Sequence, residues 1–407
     1  MMVQATEKLT ADCCIVGGGP AGLMLGYLLA RSGVKVIVLE KHADFLRDFR
    51  GDTLHPSTLQ IMDQLGLLEA LLRLPHQRAE RLEAEVGGEE VTLADFSRLP
   101  VKCKFIAFMP QWDFLNFLTA QASRFPDFRL LQSCAFDDFL YTDAQICGVR
   151  AVMNSKPLEI YAPLIIGCDG RHSRVREKAQ LPGQSFGAPR DVVWFQLDKQ
   201  ADDPQWGMGH KGPKQNFIML DRGSFWQCGY SIMKGEFSEL AAEGLEAFKQ
   251  RVALIAPFPV LRLAQLTDWN QLRLLDIRID RLNNWAREAV LCIGDAAHAM
   301  SPIGGVGVNL AIQDAVAAAN ILTPSLLKGK VTLRQLNKVQ RRRQFPTRAT
   351  QFIQIKMGGK KRQPGESSRL PHILKRYRFL PHIFGWIIGL GFRREKPRRI
   401  KSSQAIR

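Results

Sequence analysis

Six residues constrain this chain more than any others: Gly17-Gly18-Gly19-Pro20-Ala21-Gly22, set between an apolar run that ends at Val16 and a Leu- and Ala-rich stretch that begins at Pro20. A G-x-G-x-x-G alone is a weak signal, because glycine triplets also make plain turns. Its surroundings decide the reading. Residues 12–16 predict a short buried strand, 20–32 a helix closed by Gly33, and 34–39 (VKVIVL) a β-branched parallel strand that ends at Glu40. Strand, glycine turn, helix, strand and acidic residue in that order form the dinucleotide-binding unit. Gly17 allows the tight turn, Gly19 lets the backbone approach a pyrophosphate, and Gly22 lets helix and strand pack closely. Glu40 accepts from ribose hydroxyls. The helix N-terminus offers N–H groups and the positive end of its dipole to phosphate.

Two later segments repeat the pattern of apolar strand followed by glycine and aspartate. Residues 164–168 lead into Asp169-Gly170, and 289–293 into Gly294-Asp295. Parallel strands present ligands at their carboxyl ends, so three separated segments are expected to meet at one crevice. Between them the grain changes. Residues 81–96 predict a hairpin turning at Gly87-Gly88. Residues 192–197, 216–220 and 225–233 predict strands of an inserted antiparallel sheet. Residues 239–255 predict a helix, 307–322 an Ala-rich helix, and 356–368 a polar linker. The expected fold is α/β: a Rossmann-like nucleotide-binding domain from 1–75, 105–185 and 286–355, an inserted antiparallel-sheet domain from 76–104 and 186–285, and a basic, helical C-terminal extension from 356–407.

Composition sets outer limits. With 407 residues, 46% hydrophobic and 23% charged, the chain has the make-up of a globular protein with two or three domains. It lacks an uninterrupted apolar run long enough to span a bilayer, and its N-terminus has no secretory pattern. The eight cysteines form no C-x-x-C, which argues against a zinc ribbon and a dithiol reductase; they are expected to be small buried hydrophobes. No metal site is expected. The net charge of +17 is uneven. From Lys356 onward, fifteen Lys or Arg face two Glu, a surplus of +13, which leaves +4 for the first 355 residues.

The segment from Gly294 carries the most specific signal. Gly294-Asp295-Ala296-Ala297-His298 is followed by Pro302, Gly305, Gly307, Asn309 and Asp314. GDAAH followed by P-x-x-G-x-G-x-N resembles the second flavin signature of the class A flavoprotein monooxygenases, the family of para-hydroxybenzoate hydroxylase. The turn Cys168-Asp169-Gly170-Arg171-His172-Ser173-Arg174 resembles that family's DG signature, and the likeness spans roughly residues 10 to 320. The resemblance implies FAD as cofactor, NADPH or NADH as transient co-substrate, and hydroxylation of an aromatic or hydrophobic small molecule through a flavin C4a-hydroperoxide. It implies that Asp295 holds the ribityl chain and that the loop from Pro302 to Gly307 faces the isoalloxazine. It further implies that Asp169 and Gly170 serve flavin and nicotinamide binding, that Arg50 contacts the flavin, and that Gln111 lies near the ribityl chain. Arg171, Arg174 and Arg176 are candidates for cofactor phosphates. Val306 stands where many relatives carry glutamine. His298 is expected to be structural. The alternative within the fold is a flavin-dependent reductase or dehydrogenase of a lipid or quinone; a flavin-binding redox sensor is the alternative outside enzymes.

No catalytic residue is evident. Alternation puts Trp226, Cys228 and Tyr230 on one face of their strand and Phe225, Gln227 and Gly229 on the other, with the pocket-facing side left open. Tyr230 is a candidate for activating a phenol, but a packed strand tyrosine is the favoured reading. His55 and His210 are expected in surface or loop positions. The stretch 372–392 mixes apolar, aromatic and basic residues, broken by Pro381 and glycines. It fits either an interfacial segment meeting anionic lipid or a segment packed on the body. Nucleic acid is not expected as a partner. The expected location is cytoplasmic, with peripheral contact at the inner face of the membrane if the tail is interfacial.

Overall fold

The computed structural model describes residues 6–46, 53–86, 89–201, 203, 209–211, 216–256, 258–358 and 370–398. Its centre is a six-stranded sheet in the order Ala286–Arg287, Val290–Cys292, Ile165–Gly167, Cys13–Val16, Val36–Leu39, Phe128–Leu131. All neighbours are parallel except the first pair. The central strands Cys13–Val16 and Val36–Leu39 are continuous apolar runs because both faces are covered. Pro20–Ala30 and Val306–Leu326 pack against each other on this sheet, each buried along most of its length. In the strand register, Leu39 lies opposite Val16, Val16 opposite Gly167, and Gly167 opposite Cys292. The strands that feed the three glycine-bearing turns therefore end side by side.

A seven-stranded sheet combines strands from two stretches of chain, in the order Arg273–Leu275, Arg190–Asp198, Phe225–Met233, Asn216–Asp221, Gly209–Lys211, Arg81–Val86, Glu89–Asp95. The expected hairpin is present, with Val86 opposite Glu89; its turn glycines lie outside the described residues. One face of the sheet is sealed by Phe237–Glu243, Leu245–Ala253 and the turn Val260–Gln265, which enclose Phe195, Phe217, Trp226, Tyr230 and Phe248. Two helices replace the single one expected over 239–255, because Gly244 adopts φ +93° and breaks the run.

A third sheet, Glu7–Thr10, Lys156–Tyr161, Gln145–Met153 and Cys134–Thr142, was not legible in sequence. Its tight turns put Asp143-Ala144 and Asn154-Ser155 at positive φ, the geometry that matches strand twist. The helix Leu333–Gly358 runs past the expected domain limit at 355 into the expected linker, whose remainder lies outside the described residues. Among the described residues one helical stretch, Ile303–Leu326, is long and apolar enough to cross a membrane; 67% of its apolar window is buried inside the protein, as in a core helix. All eight cysteines are free, six of them buried.

The tail forms two helices, Leu370–Arg376 and Leu380–Gly389, seated on Glu89–Asp95. A Cβ on Gly385 would lie 2.0 Å from the Asp95 carbonyl oxygen, and one on Gly389 would lie 2.9 Å from Leu99. These glycines let the helix sit directly on the strand. Of the two readings of the tail, packing holds for this inward face.

Candidate active site

The first turn does what its glycines predict. Gly17 has φ +110°, and a Cβ there would lie 2.4 Å from the Cys168 carbonyl oxygen, so the first turn and the Asp169-Gly170 turn touch through bare backbone. A Cβ on Gly22 would lie 1.9 Å from the Gly17 oxygen. Gly19 differs: a Cβ there meets nothing within 4 Å, which leaves open space above the helix N-terminus. Glu40 is buried at the end of the adjacent strand. Its carboxylate accepts from the N–H of Gly18 at 3.1 Å and of His42 at 3.0 Å, so it also fixes the glycine turn.

The Gly294 turn and the loop after it form the opposite wall. Gly294 is left-handed, with φ +59°. Asp295 stays partly exposed and pairs with Arg171 at 3.5 Å. Pro302 precedes two left-handed glycines, Gly304 and Gly305, before the helix starts at Val306. Gly305 packs on Thr53, whose hydroxyl donates to the Gly305 carbonyl at 3.1 Å. A Cβ on Gly307 would enter open space. Asn309 holds this loop. Its Oδ1 accepts from the His55 N–H at 2.8 Å and the Thr58 hydroxyl at 2.7 Å; its Nδ2 donates to the carbonyls of Thr53 and Gly305. All four hydrogen-bonding positions of the amide are used, so the Asn309 side chain positions the loop rather than meeting a ligand.

The DG turn is a supporting element. Asp169 accepts from the Ser173 hydroxyl at 2.5 Å and the Val175 N–H at 3.1 Å, and burial raises its pKa against those bonds. Gly170 is left-handed. The three arginines expected at phosphates have protein partners: Arg171 the Asp276 carbonyl and Asp295, Arg174 Asp137, and Arg176 Asp280 and the Arg171 carbonyl. Gln111 is the first residue of the helix Gln111–Ala122, after Pro110. Arg50 lies outside the described residues.

Behind the Gly294 turn lies a buried charge network. Asp314, fully buried, accepts from the Gly294 N–H at 3.2 Å and from Arg343 Nε at 2.7 Å, and lies 2.6 Å from His298 Nε2. Burial raises the Asp314 pKa, but His298 and Arg343 outweigh it and hold the carboxyl below its ordinary value. Arg343 reaches on to Glu395 and the Arg393 carbonyl, which ties the tail beneath the turn. His298 is structural, as expected. His55 is not at the surface. It is fully buried, donates from Nδ1 to the Ile388 carbonyl at 2.8 Å, and leaves Nε2 without a partner among the described residues. Burial lowers its pKa to about 4. His210 falls in Gly209–Lys211, and its side chain lies outside the described residues. Tyr230 is fully buried in the sealed face of the large sheet, edge-on to Phe248 at 5.8 Å, so its placement is that of a packed core residue.

Compared with known proteins, residues 10–353 match the family described as "FAD binding domain". The chain is 31% identical over 346 residues to 6-methylpretetramide 4-monooxygenase of Streptomyces rimosus, covering 84% of this chain and 82% of that protein. The chain belongs to the class A flavoprotein monooxygenases. As an FAD-dependent oxidoreductase of that family, it is also 28% identical over 327 residues to rifampicin monooxygenase of Streptomyces venezuelae, covering 75% of this chain and 62% of the relative. The fold of this flavoprotein is shared with the solved structure of p-nitrophenol 4-monooxygenase from Pseudomonas putida. That likeness has a TM-score of 0.76 at 20% identity and covers 96% of this chain and all of that one.

Proposed function

We propose that this chain is an NAD(P)H-dependent monooxygenase that hydroxylates an aromatic, hydrophobic small molecule. The observation that carries the reading is the strand register: the strands before three glycine-bearing turns end side by side and deliver them to one rim. The residues at that rim fit FAD. Gly19 leaves room for a pyrophosphate where a side chain would intrude, and Glu40 stands at the end of the next strand. Gly17, Gly19, Gly22 and Glu40 would hold the adenosine diphosphate half, and Asp295 and Gln111 the ribityl chain. The backbone of Pro302, Gly305 and Gly307 would face the ring. Asp169 and Gly170 would shape the junction, and Arg50 would contact the flavin. When bound, FAD supplies the redox chemistry, taking electrons from NAD(P)H and passing them to O₂.

The chain's own residues bind, orient and shield. The N-terminus of Val306–Leu326 points its positive end at the loop, which favours negative charge there. Asn309 and Asp314 keep that loop and the Gly294 turn from shifting. We assign the substrate to the sheet face opposite the sealed helices, where Val192, Trp194, Ile218, Leu220 and Gly229 lie by strand alternation. Gly229 is required beneath Trp194, because a Cβ there would lie 2.8 Å from the indole ring. The buried Trp194 Nε1–H has no partner among the described residues and is a donor for a substrate oxygen. The 31% identical relative is a monooxygenase of 6-methylpretetramide, which supports oxygenation of a small molecule here. A panel of phenols and polycyclic phenols, assayed for stimulated NADPH and NADH oxidation, tests this. At least one should accelerate turnover over the substrate-free rate, and a panel without effect would count against an aromatic substrate.

A further inference from the structure

The tail helices have a second face. Inward, Gly385, Gly389 and Leu390 sit on the body, and Leu374 packs with Ala84 and Val91. Outward, Ile373, Tyr377, Phe379, Ile383, Phe384 and Trp386 are each between 37% and 55% exposed. Ile373 and Tyr377 are one helical turn apart, as are Ile383 and Trp386. The Tyr377 and Phe379 rings meet at 6.0 Å and join the two stripes into one ridge. Such a ridge is too extensive to be scattered surface apolar residues. Its charge is of one sign. Between 370 and 398 there are seven Lys or Arg and one carboxylate, Glu395, which is buried against Arg342 and Arg343. Lys375 pairs with Glu89, while Arg376, Arg378, Arg393 and Arg394 are exposed.

We propose that this outward face is a docking surface for an anionic membrane. Apolar and aromatic side chains enter the headgroup boundary while the arginines meet lipid phosphate. Lipid is favoured over a second copy of the chain, because self-association would bring two cationic faces together. The inward seat makes the device: the helix is anchored by its glycine face, so the outer face is presented already folded. Docking holds the body at the surface, with the candidate cofactor loop linked to the anchored helix through Ile388 O, His55 and Asn309.

The test uses the full-length, FAD-loaded chain and co-sedimentation with phosphatidylcholine vesicles, with and without phosphatidylglycerol. Wild type should sediment with the anionic vesicles and lose that binding at high salt. Two surface variants, Ile383→Ser/Trp386→Ser and Arg376→Gln/Arg378→Gln, should each bind roughly tenfold more weakly while retaining FAD. Absence of wild-type binding, equal binding by both variants, or equal binding to neutral vesicles overturns the proposal. So does a wild-type dimer that the Ile383→Ser/Trp386→Ser variant dissolves, since that outcome makes a second copy the occupant.

Discussion

Replacing His55 with Asn should flatten the acid side of the stability curve. The ring is buried, its Nδ1–H donates to the Ile388 carbonyl, and burial, against that bond, brings its pKa from 6.5 to about 4. Between those values the unfolded chain binds a proton that the folded chain refuses, so stability rises with pH across the window. The contribution is fully present above pH 6.5 and is lost as pH falls toward about 4. A difference of 2.5 units corresponds to about 3 kcal/mol in all, with roughly 1.4 kcal/mol already lost at about pH 5.5. Asn keeps a donor near the Nδ1 position and cannot ionise. Urea unfolding followed by tryptophan fluorescence, with saturating FAD from about pH 7 to about pH 4.5, gives both curves. Other titrating groups cancel in the difference between the two proteins. The variant should lose about 2–3 kcal/mol less than wild type over that range. Parallel curves would refute the argument and mean that the ring is solvated in the folded protein.

Gly19→Val puts its Cβ into open space, so it should leave the fold intact and abolish FAD retention; Asp295→Ala should weaken it, both read by the flavin absorbance of the purified chains. Unchanged occupancy in both variants would remove the cofactor assignment. Tyr230→Phe deletes a buried hydroxyl that has no partner among the described residues and should leave turnover within roughly twofold and stability unchanged or up to ~1 kcal/mol higher; a large fall in kcat would restore Tyr230 as a catalytic candidate. Arg343→Met leaves Asp314 buried without its arginine partner and should cost about 3–5 kcal/mol in denaturant unfolding, whereas a loss under ~1 kcal/mol would contradict the network.

What was legible in the sequence were the places where backbone geometry demands a residue type. Gly17, Gly294 and Gly305 could be placed in turns, and Gly22 in the first turn of its helix, because side chains at those points meet carbonyls, methyl groups or a hydroxyl within about 3.3 Å. The sheet Cys134–Tyr161 escaped notice because its turns put Ala144 and Ser155 at positive φ, where glycine or asparagine is the usual signal. Arg343 sits in the run Arg341-Arg342-Arg343, which looks like a solvated face; only the tertiary fold buries one of the three against Asp314. Alternation divided the strand Phe225–Met233 into two faces but could not say which the helices seal. His55 precedes a helix at His55-Pro56, an ordinary loop signal, and is buried by tail residues more than 300 positions away. The tail itself held two readings because a helix with small residues on one side and large ones on the other satisfies both.

The central claim is that this chain passes an oxygen atom from O₂ to an aromatic carbon. The measurement that bears on it most directly is turnover under ¹⁸O₂ with NADPH, FAD and a phenol found to stimulate oxidation, with mass spectrometry of the product. The account predicts one labelled oxygen in the product and none from labelled water. A product that carries no label from O₂, with NADPH still consumed, would contradict it and make the chain a flavin reductase or dehydrogenase.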